Sequence, residues 1–108
     1  MENFKDYQQY LKGYDFTGNT PVVIDFYATW CGPCQAMAPM VHQLAEEFKG
    51  RIKVLKVDVD KNQTIAAAAR IQSIPTFFFI AKDGTINRHI GGMPYQQLVH
   101  LAKQLLEQ

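Results

Sequence analysis

Two thiols stand three positions apart in the stretch "IDFYATWCGPCQAMAP": Cys31 and Cys34, with Gly32 and Pro33 between them and Trp30 in front. They are the only cysteines in the chain. A disulfide stabilises a fold by restraining the unfolded chain, and the restraint grows with the loop it closes. A bridge from Cys31 to Cys34 closes almost no loop, so stability is not what the pair supplies. Thiol–disulfide exchange and half of a metal site remain. A metal needs two further ligands, and the three histidines, His42, His89 and His100, show no finger-like pairing. Exchange is the reading the spacing favours.

That chemistry needs a particular backbone. If Cys31 ends a strand-to-helix turn and Cys34 lies one turn on, the two side chains share a helical face and their sulfurs reach bonding distance. Cys31 then sits at a helix N-terminus, where unpaired N–H groups and the macrodipole stabilise a thiolate, the nucleophilic form. Cys34, inside the first turn, is expected to be more buried and less acidic. Cys31 attacks a disulfide and Cys34 resolves the mixed disulfide. Gly32 permits close approach of another backbone, and Pro33 near the first helical position sacrifices no hydrogen bond.

A second unusual group precedes the thiols. Asp25 falls inside "VVIDFYA", between Ile24 and Phe26. A lone carboxylate buried there is costly and tends to stay protonated; the alternative is a strand that twists to bring Asp25 to solvent. Lys56 is its natural partner on the neighbouring strand, unless it is simply a solvated lysine at a sheet end. Trp30, next to Cys31, either packs in the core or shields the turn and meets partners.

The elements that must position these groups are legible in turn signals and periodicity. Phe4, Tyr7 and Leu11 share one face of an opening helix that stops at Gly13, and "YDFTGNTP" is a turn-rich link. Val22 to Ala28 is a nearly continuous apolar run, the mark of a strand covered on both faces. Met37, Val41, Leu44, Ala45 and Phe48 recur at helical spacing, so a helix starts near the cysteines and ends near Gly50, with Pro39 expected to kink it. Met37 and Met40 read as core. Ile52 to Val59 is a second strand, and Asn62 is a good N-cap for "NQTIAAAAR". "TFFFIA" and "INRHIG" are strands joined by the hairpin turn "KDGT". Leu98, Leu101 and Leu105 mark a last helix after Pro94. The order α-β-α-β-α-β-β-α implies an α/β fold with a central mixed β-sheet and helices on both faces.

The 108 residues form one domain, 1–108, long enough for a real core without a disulfide. Net charge is +1 with scattered basic residues, which argues against nucleic acid. No apolar stretch approaches the ~20 residues of a membrane span. The polar start "MENFKDYQQY" lacks the apolar segment of a signal peptide. A cytoplasmic monomer is expected, or an extracytoplasmic one if a signal has been removed.

"WCGPC", with the flanking "IDFYA" and the later "SIPTF", resembles the thioredoxin family, in matching order and spacing from about Pro21 to the C-terminus. The resemblance implies the thioredoxin fold and a protein disulfide reductase. Its electrons reside on Cys31 and Cys34, with no bound cofactor, and are replenished by a thioredoxin reductase; its partners are that reductase and client proteins with disulfides. It implies that Asp25 is a buried general base and acid serving Cys34 through water, with Lys56 beside it. Trp30, Gly32 and Pro33 support the turn. It implies a cis bond before Pro75, facing the cysteines, and a docking surface of Trp30, Ile74, Pro75, Ile90 and Gly91, with Gly92 alongside; turn glycines are the alternative for Gly91 and Gly92. The Gly-Pro insert is closer to the reducing members than to extracytoplasmic oxidases and isomerases. A redox-independent binding module using the same surface is the remaining alternative. Tyr27 stands where the family often carries Trp, Gln35 where Lys is frequent, and the family's usual first strand is not evident.

Overall fold

The computed structural model describes residues 20–108. The expected opening helix, most of the link after it and the question of a first strand lie outside them. Within them the elements are β1 (Val22–Tyr27), α1 (Gly32–Glu47), β2 (Lys53–Asp58), α2 (Gln63–Ala68), β3 (Thr76–Ile80), β4 (Ile86–Ile90) and α3 (Tyr95–Leu106). The sheet runs β2-β1-β3-β4. β1 and β2 are parallel, whereas β1–β3 and β3–β4 are antiparallel. This is the mixed sheet expected, flanked by helices as in the thioredoxin fold.

Side-chain alternation builds two cores from the same strands. Val23, Phe77 and Phe79 pack with Met37, Val41, Leu44 and Phe48 of α1 and its end, and with Leu98, Ala102 and Leu105 of α3. On the other face, Ile24, Phe26, Val57, Phe78 and Ile80 pack with Ile65 and Ala69. Phe26 meets Phe78 edge-on, ring centroids 4.8 Å apart. Burying each such side chain contributes about 1.5–3 kcal/mol, so the central strands β1 and β3 anchor both layers.

Element ends differ from expectation in instructive ways. α1 stops at Glu47, not near Gly50, because Phe48 turns out of helical geometry while its N–H still reaches Leu44 O at 3.0 Å. Gly50, at φ 84°, then reverses the chain. Pro39 lies inside α1 without ending it; having no N–H, it leaves the carbonyl of Gln35 without its helical donor. Asn62 occupies the N-cap of α2, but its side chain makes no capping bond. It donates instead to Asp58 O at 3.0 Å. Ile52 and Val59 fall just outside β2; their N–H groups bond to Phe48 O and Tyr27 O. The β3–β4 hairpin turns on Gly84 at φ 90°, with Asp83 Oδ1 accepting the N–H of Thr85 at 2.9 Å.

Candidate active site

Cys31 is the N-cap of α1, in extended conformation at φ −85°, ψ 112°, with Pro33 in the first turn. Its sulfur accepts the backbone N–H of Cys34 at 3.2 Å. The two cysteines are joined as a disulfide with Cα atoms 5.2 Å apart. The helix starts here because β1 ends at Tyr27 and the N–H of Cys31 folds back onto Ala28 O at 3.3 Å.

Burial does not separate the two cysteine residues as expected. Cys31 is 5% exposed and Cys34 4%. The reason is the segment packed over the turn: Cys31 Sγ lies 3.8 Å from Ile74 O, and Ala28, Tyr27, Val59 and Ile74 surround the pair. What distinguishes Cys31 is its place at the helix end and the N–H aimed at its sulfur.

Asp25 is 1% exposed, so the solvent-reaching alternative does not hold. Among the described residues its Oδ1 has no hydrogen-bond partner. Burial pushes its carboxyl up from the ordinary 3.8 to about 6, while the positive charge of Lys56 pulls the other way. Lys56 lies directly across the β1–β2 ladder from Asp25. Its side chain is exposed, and Nζ sits over the ring of Tyr27, 4.5 Å from the centroid. Alternation along β1 puts Asp25 on the same sheet face as Tyr27. Tyr27 and Lys56 line a cavity of about 240 Å³ with Cys34, Ala28, Thr29, Gln35 and Ala38. The Gln35 side chain closes its rim by donating to Thr29 O at 2.7 Å.

Around the turn, Trp30 is 69% and Ile90 71% exposed, large apolar groups left in solvent. The Ile74–Pro75 bond is cis. Pro75 is buried and Ile74 half-buried. Pro75 O accepts the N–H of Gly91 at 2.8 Å, and Thr76 pairs with Ile90, so the segments carrying Ile74, Pro75, Ile90 and Gly91 are joined. Gly91 has φ 95°, a backbone state that favours glycine, whereas Gly92 abuts Met37. Gly32 has open space where a Cβ would stand, with nothing among the described residues within 4 Å, leaving room beside the turn.

Sequence reasoning missed Asp60. Its Oδ2 accepts the indole N–H of Trp30 at 2.7 Å, and its own N–H is held by Asp58 Oδ1 at 2.9 Å. The only signal was "VDVD", which puts a second carboxylate just beyond the strand. Among the described residues no cluster of three or more His, Cys, Asp or Glu comes together to hold a metal ion.

The family model described as Thioredoxin matches residues 2–104. The chain is 48% identical over 82 residues to thioredoxin 1 of Chlorobaculum tepidum, covering 76% of this chain and 81% of that one. It is 39% identical over 84 residues to thioredoxin of Haemophilus influenzae, covering 78% of each. Among solved structures, chloroplastic thioredoxin z superposes with a TM-score of 0.77 at 40% identity, over 83% of this chain and 81% of that one.

Proposed function

The chain belongs to the thioredoxin family and is a protein-disulfide oxidoreductase working through Cys31 and Cys34; from that premise we propose how its residues divide the work. The Cys31 thiolate attacks one sulfur of a client disulfide. A bond forms between Cys31 and that sulfur, and the client's other sulfur leaves as a thiolate that takes up a proton. Cys34, deprotonated by Asp25 through water in the adjoining cavity, then attacks Cys31 Sγ. The Cys31–Cys34 disulfide forms and the client's second thiol departs. Two electrons have passed from the cysteine pair to the client. A thioredoxin reductase returns them, and no bound cofactor takes part.

The observation that carries this reading is the N–H of Cys34 aimed at Cys31 Sγ at the start of α1. The same contact can stabilise a thiolate before attack. Lys56 supplies positive charge near Asp25. Trp30, Ile74, Pro75, Ile90 and Gly91 form the client-docking face, with Gly32 and Pro33 shaping the turn. An extended client segment lies there and pairs with the backbone of Ile74.

The protein acts as a one-domain monomer in the cytoplasm, a compartment that keeps thiols reduced. No helix among the described residues is long and apolar enough to cross a membrane. The test is turnover of a disulfide-bonded client protein with a thioredoxin reductase, alongside the reduction potential of the pair. A strongly reducing potential and loss of turnover in Cys31→Ser are expected. Turnover that survives Cys31→Ser overturns the assignment, and a strongly oxidising potential makes the protein an oxidase instead.

A further inference from the structure

Tyr27 belongs to none of the roles above, yet it touches the groups that perform one of them. It closes β1, half-buried, two residues beyond Asp25. Its ring lies beneath the Lys56 ammonium, 4.5 Å from centroid to Nζ. A lysine side chain left to itself spreads through many rotamers in water, and holding it in one costs entropy. The negative face of an aromatic ring offsets part of that cost and biases the cation toward the place over it. Both residues line the cavity that reaches Cys34.

The ammonium therefore has a favoured place, over the Tyr27 ring. It is the positive charge that acts on Asp25, directly across the ladder. Among the described residues the other groups facing this carboxyl are few. α1 brings Cys34 to this side of β1; β3 presents Phe77 in register; α3 brings the apolar Leu98, Ala102 and Leu105 to the same face. Asp58, at the end of β2, pairs with Tyr27 rather than Asp25. How strongly Lys56 is felt at Asp25 thus depends on where its side chain is held.

We propose that Tyr27 is a positioning residue for the exchange reaction: its ring face holds the Lys56 ammonium at the rim of the Cys34 cavity and thereby sets how strongly that charge favours the Asp25 carboxylate. The consequence for turnover rests on the reading of Asp25 as the base for Cys34; the positioning itself does not, and it is read on the carboxyl directly.

The experiment is NMR titration of the Asp25 side-chain carboxyl in the oxidised protein, where neither cysteine titrates. Tyr27→Leu removes the ring face, the ammonium disperses into solvent, and the Asp25 midpoint rises by about half a pH unit. Tyr27→Phe keeps the ring and keeps the midpoint. Lys56→Met raises the midpoint by itself, and adding Tyr27→Leu to it changes nothing further. A midpoint that stays or falls in Tyr27→Leu overturns the proposal, as does an equal rise in the Lys56→Met background, which would mark a change in burial. In the unmodified protein the Lys56 ε-methylene protons should be shifted upfield by the ring current; their absence from that position overturns the proposal even if the leucine variant does not fold. If Asp25→Ala leaves the exchange rate unaltered while this cycle holds, the base assignment fails and the positioning stands.

Discussion

The backbone N–H of Cys34 meets the sulfur of Cys31 across 3.2 Å, whereas exposure treats the two residues alike at 5% and 4%. In the reduced protein this donor, together with the open end of α1, favours negative charge on Cys31. Alkylation of the reduced protein at neutral pH should therefore modify Cys31 at least about tenfold faster than Cys34. Peptide mapping of a time course checks this, and equal rates would reverse the assignment of roles.

On the proposed division of roles, Cys34→Ser leaves the attacking thiol in place and removes the one that resolves. This variant should accumulate a covalent adduct between Cys31 and client proteins, visible as a reducible band on a non-reducing gel. Normal turnover by Cys34→Ser would show that the second cysteine is dispensable.

Asp25 gives stability a pH dependence of definite sign. The folded carboxyl titrates near 6 against an ordinary 3.8. Between those values the unfolded chain has released a proton that the folded chain still holds, so raising the pH favours unfolding. The loss begins near the lower value, is complete above the upper one, and amounts to roughly 3 kcal/mol from the shift. Asp25→Ala should thus be more stable than the parent at pH 7 by about 1–3 kcal/mol, with the gap closing toward pH 4, while exchange slows. Urea titrations at several pH values measure the gap; a variant less stable at pH 7 would remove the buried-base reading.

Trp30 and Ile90 stand in solvent beside the turn. Trp30→Ala and Ile90→Ala should raise KM for a protein client several-fold, while the rate with a small disulfide falls much less. Because these side chains cover little of the core, thermal stability should change by no more than about 0.5 kcal/mol for Ile90→Ala. Parallel falls with both substrates would place these residues in the chemistry instead of the docking.

Arg70 follows α2 with φ 55°, a left-handed state unfavourable for a residue with a Cβ. Arg70→Gly should gain about 0.5–1 kcal/mol. Nearby, Arg88 donates to Ala69 O and lies 4.7 Å from the Phe78 ring centroid. Arg88→Ala should cost about 1–2 kcal/mol. Chemical denaturation of both variants checks the opposite signs.

The apolar run at 22–28, the helical spacing after Cys31 and the "KDGT" turn located most elements to within a few residues, because each is governed by local periodicity or turn chemistry. The ends went astray where a group four residues back claims the hydrogen bond that the pattern assigns elsewhere. Ile52 looks like strand, yet its N–H is already taken by Phe48. Asn62 looks like a helix cap, yet Asp58 claims its side chain. The site divides the same way. The cysteines and Asp25 are conspicuous as types in an unusual place. The near-equal cover of Cys31 and Cys34, the bond from Trp30 to Asp60 and the stacking of Lys56 on Tyr27 each join stretches far apart in the chain, and no local pattern announces them.

β3 begins immediately after Pro75; all five of its residues are buried, and Phe77 to Ile80 alternate between the two cores. One residue inserted after Pro75 would turn Phe77 and Phe79 toward the α2 side and Phe78 and Ile80 toward α1 and α3. The segment carrying Ile74 and Pro75, proposed above as docking residues, is therefore joined directly to a strand whose register cannot slip by one residue. On that docking assignment, a change of client preference cannot come from a change of length at this junction. It must come from side chains such as Ile74, Trp30 and Ile90 while the frame stays at constant length.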